Sequence, residues 1–392
     1  MSKRIGMEVA IAVAEAVALC RVDTIAAYPI TPNTHVAEHL AEIVAEGRIH
    51  AEYITVESEH SAMSAVMGAS ATGARAFTAT SSQGLMYMAE VLPIASAMRL
   101  PVVMVIANRA ISGPLNIWND HSDVMYQRDC GWISLFAENG QEMIDMTIQA
   151  FKIAEHQEVL LPVNVNMDGF QLTHMVEALE LPDQGEVDAF LPPYKPYATL
   201  HPDRPVTMGA LGVPEIFMEV MKAKDVALRE AKKVILAVWE EWYGRFGRRY
   251  EPITSYRADD AEILLLTLGS VGETAEVAVD ELRKQGKSVG LLKLKLWRPF
   301  PFAELRQAVS GARVLAVMDR AVSFGGPGGP VAAEVRSALY HELKRPLVLN
   351  YIIGLGGRDV TVEDFINLAE RAALALSRGI EEPFEFYGVR GA

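Results

Sequence analysis

The chain has 392 residues, half of them apolar and 22% charged, an ordinary globular profile with length for about two or three domains. Its net charge of −14 argues against nucleic acid and anionic membranes as partners, because both require a basic face. Two cysteines, Cys20 and Cys130, with no Cys-x-x-Cys pair, exclude a disulfide framework, a zinc ribbon or an iron–sulfur cluster held by this chain alone.

Lys3 and Arg4 ahead of the apolar run 9–20 imitate a signal peptide, but Glu8 and Glu15 interrupt the run and no small-residue cleavage site follows. Residues 6–20 read instead as an amphipathic helix. No window of about 18 uncharged apolar residues occurs, so no transmembrane helix and a cytoplasmic location are expected. A strand over 24–28 ends in Pro29-Ile-Thr-Pro32, and a helix over 34–46 follows. Strand 53–56 runs into Glu57 and Glu59, then a small-residue helix over 60–73. Strand 76–80 ends in Ser81-Ser-Gln-Gly84, before a helix over 85–98 and a fully apolar strand over 101–107 that ends at Asn108-Arg109. A polar loop through Asp123, a helix over 139–155 and a strand over 159–165 complete this half.

Alternating helices and continuous apolar strands predict an α/β fold, a doubly wound parallel sheet covered on both faces. Ligands of such sheets bind outside the carboxyl ends of the strands, where Thr31, Glu59, the 81–83 turn and Arg109 fall. Residues 1–180 form this first domain. Residues 181–258 hold a proline-rich connection, with seven prolines from Pro182 to Pro214, and a long helix over 215–245 with Trp239, Trp242 and Tyr243. A helix of that length and pattern packs on a neighbouring domain or subunit. A second α/β domain spans 259–392, with strands over 263–268, 289–293, 313–318 and 347–353 and helices over 272–285 and 361–378.

Each polar motif has two readings. A carboxylate at a strand-to-helix corner, Glu57 or Glu59, is a helix cap or a buried group aimed at a cofactor. Arg109 and Thr31 are a surface arginine and a turn threonine, or a fork for a carboxylate with a rigid hydroxyl beside it. Asp120-His121 is an acid/base pair or a hydrogen-bonded loop. His35-Val-Ala-Glu38-His39 fits the H-x-x-E-H pattern of zinc hydrolases, but no third ligand presents itself, so no metal is assigned to this chain. Gly325-Gly-Pro-Gly-Gly-Pro330 lacks the lysine and the amides of a phosphate loop and reads as a structural turn; no Gly-x-Ser-x-Gly elbow occurs.

Tyr28-Pro-Ile-Thr-Pro32, Glu57-Ser-Glu-His60, Thr80-Ser-Ser-Gln-Gly84, Asn108-Arg-Ala110, Gly113 through Asp123, Asp168-Gly-Phe170, Arg298-Pro-Phe-Pro301 and Asp319 through Phe324 together resemble one family. It is the alpha subunit of the 2-oxoacid:ferredoxin oxidoreductases, with the pyruvate enzyme most similar, and the resemblance covers nearly the whole chain. It implies a thiamine-diphosphate pyrimidine-binding domain followed by a transketolase-C-terminal-like domain. Glu59, not Glu57, matches the glutamate that drives the aminopyrimidine to its imino form, so that the thiazolium C2 is deprotonated. Arg109 and Thr31 match the residues holding the substrate carboxylate and keto group, with Pro29, Ser82 and Gln83 beside the cofactor. The resemblance implies decarboxylation of a 2-oxoacid, transfer of the acyl group to coenzyme A, and single-electron transfer to ferredoxin through iron–sulfur clusters.

No Gly-Asp-Gly motif with a downstream asparagine occurs, and Met167-Asp-Gly169 lacks its first glycine. The diphosphate, Mg2+ and the clusters are therefore expected on partner chains, a beta, a gamma and a ferredoxin-like delta subunit. The resemblance points to pyruvate. Gly113, where pyruvate-type members more often carry alanine, and Cys130, where threonine or serine is usual, keep a bulkier 2-oxoacid open, such as phenylglyoxylate or 2-oxoisovalerate, with NAD or ferredoxin as acceptor. A dianion such as oxalate would want a second cation where Thr31 stands. A noncatalytic scaffold subunit and a zinc hydrolase are the readings from other classes.

Overall fold

The computed structural model describes residues 3–379, 382 and 384–391. A strand β1 (Lys3–Glu8) precedes α1 (Val9–Leu19), so the helix expected over 6–20 starts late. The reason is tertiary: residues 3–8 pair antiparallel with residues 176–181. Then come β2 (Thr24–Ala27), α2 (Thr34–Ala45), β3 (Glu52–Thr55), α3 (Glu59–Ala71) and β4 (Ala76–Thr80), close to expectation. The single helix expected over 85–98 is two short ones, α4 (Ser82–Tyr87) and α5 (Leu92–Ala97). Pro93 in the first turn of α5 has no N–H to continue a preceding helix, and the chain restarts there.

After β5 (Val102–Asn108), a short α6 (Ser122–Tyr126) and β6 (Ile133–Phe136) interrupt what read as loop. Next are α7 (Gly140–Glu155) and β7 (Val163–Asp168). Leu160 takes a left-handed turn at φ 43°, which delays the strand expected over 159–165. β8 (Val176–Leu181), α8 (Gln184–Phe190) and the long α9 (Pro214–Phe246) follow. The second half runs β9 (Ile253–Tyr256), β10 (Ile263–Leu268), α10 (Val271–Lys284), β11 (Val289–Leu294), β12 (Leu296–Arg298), α11 (Phe302–Ala308), β13 (Val314–Asp319), α12 (Pro330–Leu339), β14 (Leu347–Ile352), α13 (Val362–Arg378) and β15 (Glu385–Phe386).

The first large sheet has the order β12-β6-β7-β5-β4-β2-β3 and is parallel except for β12. The second has the order β15-β14-β13-β10-β11-β9 and is parallel except for β9. The fold is thus the doubly wound α/β type, twice. Two strands cross the expected stretches. Ile253–Tyr256, from the connection, edges the second sheet, and Leu296–Arg298, from the second half, edges the first.

Strand alternation sorts the interior into layers. Phe77, Ala79, Val103 and Val105 face a core made with α1, α2, α7 and Trp239 and Trp242 of α9. Ala76, Val102, Met104 and Ile106 face the other way, into a core shared with Leu264, Leu266, Trp297 and Val335 of the second half. Ile263, Leu265, Val314 and Ala316 face α10 and α13. The middle core belongs to both sheets, so burying it fixes one sheet against the other.

A cluster of charges seals that junction. Asp168, at the end of β7, lies 2.7 Å from His121 Nε2 and 2.9 Å from Arg320 Nη1, and accepts from the backbone N–H of Ser270 at 2.9 Å. Burial works against its ionisation, but Arg320 and His121 outweigh it and hold the carboxyl far below the usual range.

Candidate active site

In the first sheet the chain runs from β2 outward to β3, then returns to β4 on the other side of β2. The strand order therefore reverses at β2/β4, and the crevice opens at the carboxyl ends there. Four segments leave these neighbouring strands at that rim: the Thr31 turn after β2, Glu59 after β3, Ser81–Gln83 after β4 and Arg109 after β5.

Glu59 opens α3. The N-cap role belongs to its neighbour: the Ser58 hydroxyl accepts from the Ser61 N–H at 3.2 Å, and exposed Glu57 accepts from the Ser61 hydroxyl at 2.5 Å. Glu59 is thus freed from capping and is only 8% exposed. Among the described residues no group donates a hydrogen bond to its carboxylate, at the positive end of the α3 dipole. Its side chain packs on Gly84 of α4. A Cβ on Gly84 would stand 2.7 Å from Glu59 Oε1 and would also overlap the Thr80 hydroxyl. The glycine is there for close approach.

Arg109 is equally buried, at 8% exposure. Its Nη1 donates to the Thr31 carbonyl at 2.8 Å and its Nε to the Asn116 carbonyl at 3.2 Å, while Nη2 lies 3.5 Å from Gln83 Oε1. Burial lowers its pKa, and the charges of Asp123 and Glu59 oppose that. Thr31 and Pro29 are exposed on the same rim. Ser82 is fully buried: its hydroxyl donates to the Ala110 carbonyl at 2.6 Å and lies 2.6 Å from Gln83 Oε1. It shapes the turn that presents Gln83 and does not itself face the crevice.

The residue that ties these segments together is Asp123, which sequence reading left at the end of a loop. One oxygen accepts the N–H groups of Ser82 and Arg109, both at 3.0 Å; the other accepts from Asn108 Nδ2 at 3.0 Å and the Val124 N–H at 2.7 Å. It joins the ends of β4 and β5 and holds Ser82 at φ 46°, a left-handed conformation that a serine rarely adopts. Burial pushes its carboxyl up to about 6 against those hydrogen bonds. Alternation of charge around an Asp-His-Ser-Asp stretch gave no hint of which aspartate would turn inward.

The Asp120-His121 pair divides instead of acting together. Asp120 accepts from Ser122 and from the Gly356 N–H at 3.1 Å, whereas His121 is sealed against Asp168. Of the two readings, the hydrogen-bonded loop is the one the geometry supports. The loop after Arg109 rests on the second half, with Asn116 Nδ2 donating to the Gly356 carbonyl at 3.1 Å. Asp168 of Met167-Asp-Gly169 is buried and engaged by His121, Arg320 and Ser270.

The residues present fit the aminopyrimidine half of thiamine diphosphate. The glycine cradle of Gly84 and the undonated Glu59 carboxylate suit a flat ring with a protonated nitrogen. Diphosphate ligands are not among the groups gathered at this rim.

Comparison with known proteins points to the same cofactor. The model of the pyruvate flavodoxin/ferredoxin oxidoreductase thiamine-diphosphate-binding domain matches residues 15–239, and that of pyruvate:ferredoxin oxidoreductase core domain II matches residues 261–365. These matches and the fold define a subunit of the thiamine-diphosphate-dependent 2-oxoacid:ferredoxin oxidoreductases. Pyruvate synthase subunit PorA of Methanocaldococcus jannaschii is 51% identical over 92% of this chain and 93% of its own. The same subunit of Pyrococcus abyssi is 48% identical over 97% and 96%. The ketoisovalerate oxidoreductase subunit VorA of Pyrococcus abyssi is 45% identical over 97% and 96%. The chain belongs to the pyruvate:ferredoxin oxidoreductase family, as an alpha subunit.

Two solved structures share the fold. A 2-oxoglutarate:ferredoxin oxidoreductase from Magnetococcus marinus, with 2-oxoglutarate, coenzyme A and succinyl-CoA bound, superposes with TM-score 0.70 at 22% identity; the match covers 94% of this chain and 65% of that one. A split-gene transketolase, an inactive beta4 tetramer, gives TM-score 0.56 at 13% identity, over 94% and 99%. No helix among the described residues is long and apolar enough to cross a membrane.

Proposed function

We propose that this chain is the pyrimidine-binding alpha subunit of an enzyme that oxidatively decarboxylates pyruvate with coenzyme A and passes the electrons to ferredoxin. The observation that carries it is the Glu59 carboxylate, buried on Gly84, without a donor and on one rim with Arg109. Thiamine diphosphate, when bound, supplies the carbon nucleophile and the electron sink that decarboxylation of a 2-oxoacid needs. Glu59 accepts a hydrogen bond from the pyrimidine ring nitrogen in a site of low dielectric, where that bond is strongest. Arg109 holds the substrate carboxylate through the guanidinium edge that its backbone-carbonyl contacts leave open. Thr31 offers its hydroxyl to the keto oxygen, Pro29 walls the ring and Gln83 orients the Arg109 edge.

The diphosphate with its Mg2+ belongs on a beta subunit and the iron–sulfur clusters on a ferredoxin-like delta subunit, with a gamma subunit completing the assembly. Two observations support this: the chain has two cysteines, and Asp168, in the one sequence that approaches the diphosphate motif, is locked in a buried cluster. The domain reading keeps a pyrimidine-binding unit over 1–180, a connection and packing helix over 181–258, and a transketolase-C-terminal-like unit over 259–392. Five pyruvate-named relatives at 46–51% identity favour pyruvate, and the ketoisovalerate relative at 45% makes 2-oxoisovalerate the second reading. The test is the complex purified with its partner subunits, assayed on a panel of 2-oxoacids with a viologen acceptor. Pyruvate is expected to give the highest kcat/KM; a branched 2-oxoacid ahead of it overturns the substrate, and turnover by the isolated chain overturns the division between subunits.

A further inference from the structure

The sequence offers His35 and His39 as a metal-binding pair on one helix face. The fold separates them. His39 Nε2 lies 2.8 Å from Glu15 Oε1 and its Nδ1 lies 3.1 Å from Glu42 Oε2, and Arg48 pairs with the same Glu15. His35 turns the other way, towards the end of β1 and the loop after β7. Its Nδ1 is 2.5 Å from Glu8 Oε1, and its ring centroid is 4.9 Å from that of His174. A carboxylate oxygen and one nitrogen from each imidazole all lie within 4.8 Å of one another.

Three further features distinguish this group from a simple ion pair. Thr173 Oγ1 accepts the Phe170 N–H at 2.9 Å and lies 2.6 Å from His174 Nδ1. An oxygen on one ring nitrogen is the outer contact that orients a ligating imidazole. The Phe170 ring, 4.8 Å from that of His174, flanks it on the apolar side. Burial, and the neighbouring His35 charge, lower the pKa of His174.

We infer that Glu8, His35 and His174 form a site for a divalent transition-metal ion of the zinc type, held by one carboxylate and two imidazoles. The ion takes the place of the proton between His35 Nδ1 and Glu8, the imidazole keeping a proton on Nε2, and water fills the fourth position. It ties together the end of β1, the first turn of α2 and the loop after β7. The first turn of α2 follows directly on the Thr31-Pro32 corner, so the ion braces the turn that carries Thr31. Two imidazoles and a carboxylate suit zinc, and cobalt reports the same geometry by its visible absorption.

The test uses the full chain after chelator treatment, titrated with Zn2+ by calorimetry and with Co2+ by absorption. One equivalent is expected to bind, with a rise in Tm. His174→Ala and His35→Ala are expected to weaken binding by at least about tenfold and to abolish the Tm rise; Thr173→Ala weakens it by about tenfold through ring orientation. His39→Ala is expected to leave it unchanged. Absence of saturable binding by the unaltered chain overturns the inference, whatever the variants do. Loss of binding in His39→Ala with retention in His174→Ala overturns it in favour of the helix pair. Circular dichroism and the conservative His174→Asn separate lost ligation from lost folding.

Discussion

Glu59 and Asp319 occupy corresponding places in the two sheets, buried carboxylates where a parallel strand gives way to a helix, and they have opposite fates. Asp319 closes β13 and accepts the N–H groups of Val331 at 2.9 Å and Ala332 at 3.0 Å, at the start of α12, and Asn350 Nδ2 at 2.9 Å. Both of its oxygens receive donors. Glu59 has the same helix-terminal setting, but Ser58 caps the helix in its place and its oxygens receive no donor from the described residues. The two glycines beside them repeat the contrast. Gly329 allows the Asp319 carboxylate to lie against the helix start, and Gly84 allows Glu59 to lie against α4. A buried carboxylate that the fold has fully satisfied holds the fold; one left without a donor awaits a partner from outside.

Substitution at the two positions should therefore break different things. Glu59→Gln in the assembled complex is expected to lower kcat by about a hundredfold or more, with unfolding free energy changed by less than about 0.5 kcal/mol. Steady-state assays beside thermal melts read both, and loss of stability without loss of turnover would return Glu59 to the capping role. Asp319→Ala is the mirror case: three buried donors lose their acceptor, and destabilisation of about 2–4 kcal/mol should appear in denaturant titration.

The glycines sharpen the same contrast with smaller effects. Gly84→Ala pushes the Glu59 side chain and should cost about tenfold in kcat/KM by misplacing it. Gly329→Ala overlaps Asp319 and should cost about 1–3 kcal/mol of stability instead. Should both substitutions act on stability alone, Glu59 and Asp319 would be equivalent after all.

Protonation gives a third comparison. Burial, against its hydrogen bonds, pushes Asp319 up to about 7 and Asp123 up to about 6, from an ordinary 3.8. A carboxyl with a raised folded pKa favours the protonated native state. Its contribution is full below about pH 4 and is lost as pH rises through the folded value. Asp168, lowered by Arg320 and His121 against burial, has the opposite sign: its contribution stands above about pH 4 and is lost in acid. Unfolding free energy should consequently fall between about pH 4 and about pH 7, and Asp319→Asn should flatten the fall. Ser82→Ala, which removes the hydroxyl contacts with the Ala110 carbonyl and Gln83 Oε1, should cost about 1 kcal/mol and leave the pH dependence intact.

The sequence by itself determined the class of the fold. Apolar strands such as 76–80 and 263–268, broken by helices of amphipathic period, admit hardly any arrangement but covered parallel sheets. The same reading located Thr31, Glu59, Gln83 and Arg109 at strand ends, because topology alone sends strand ends to one rim. It did not find β6 or β12, which are short and acquire strand geometry only by pairing with each other and with β7. It placed a helix across Pro93, whose missing N–H ends one helix and starts another, and a helix over residues 6–8, where a strand partner distant in the chain prevailed over local pattern.

Which carboxylate does what was decided by tertiary structure. Glu57, Glu59, Asp120, Asp123, Asp168 and Asp319 are alike as letters, and their roles follow from the donors that each meets. Those donors come from segments far apart in sequence, as when Asp168 meets Arg320 or Asp123 meets Ser82. Local sequence sets periodicity and caps, which depend on neighbours a turn or a residue apart. Satisfaction of a buried charge depends on what the packed chain brings within hydrogen-bond distance, and that exists only once both sheets have closed on their common core.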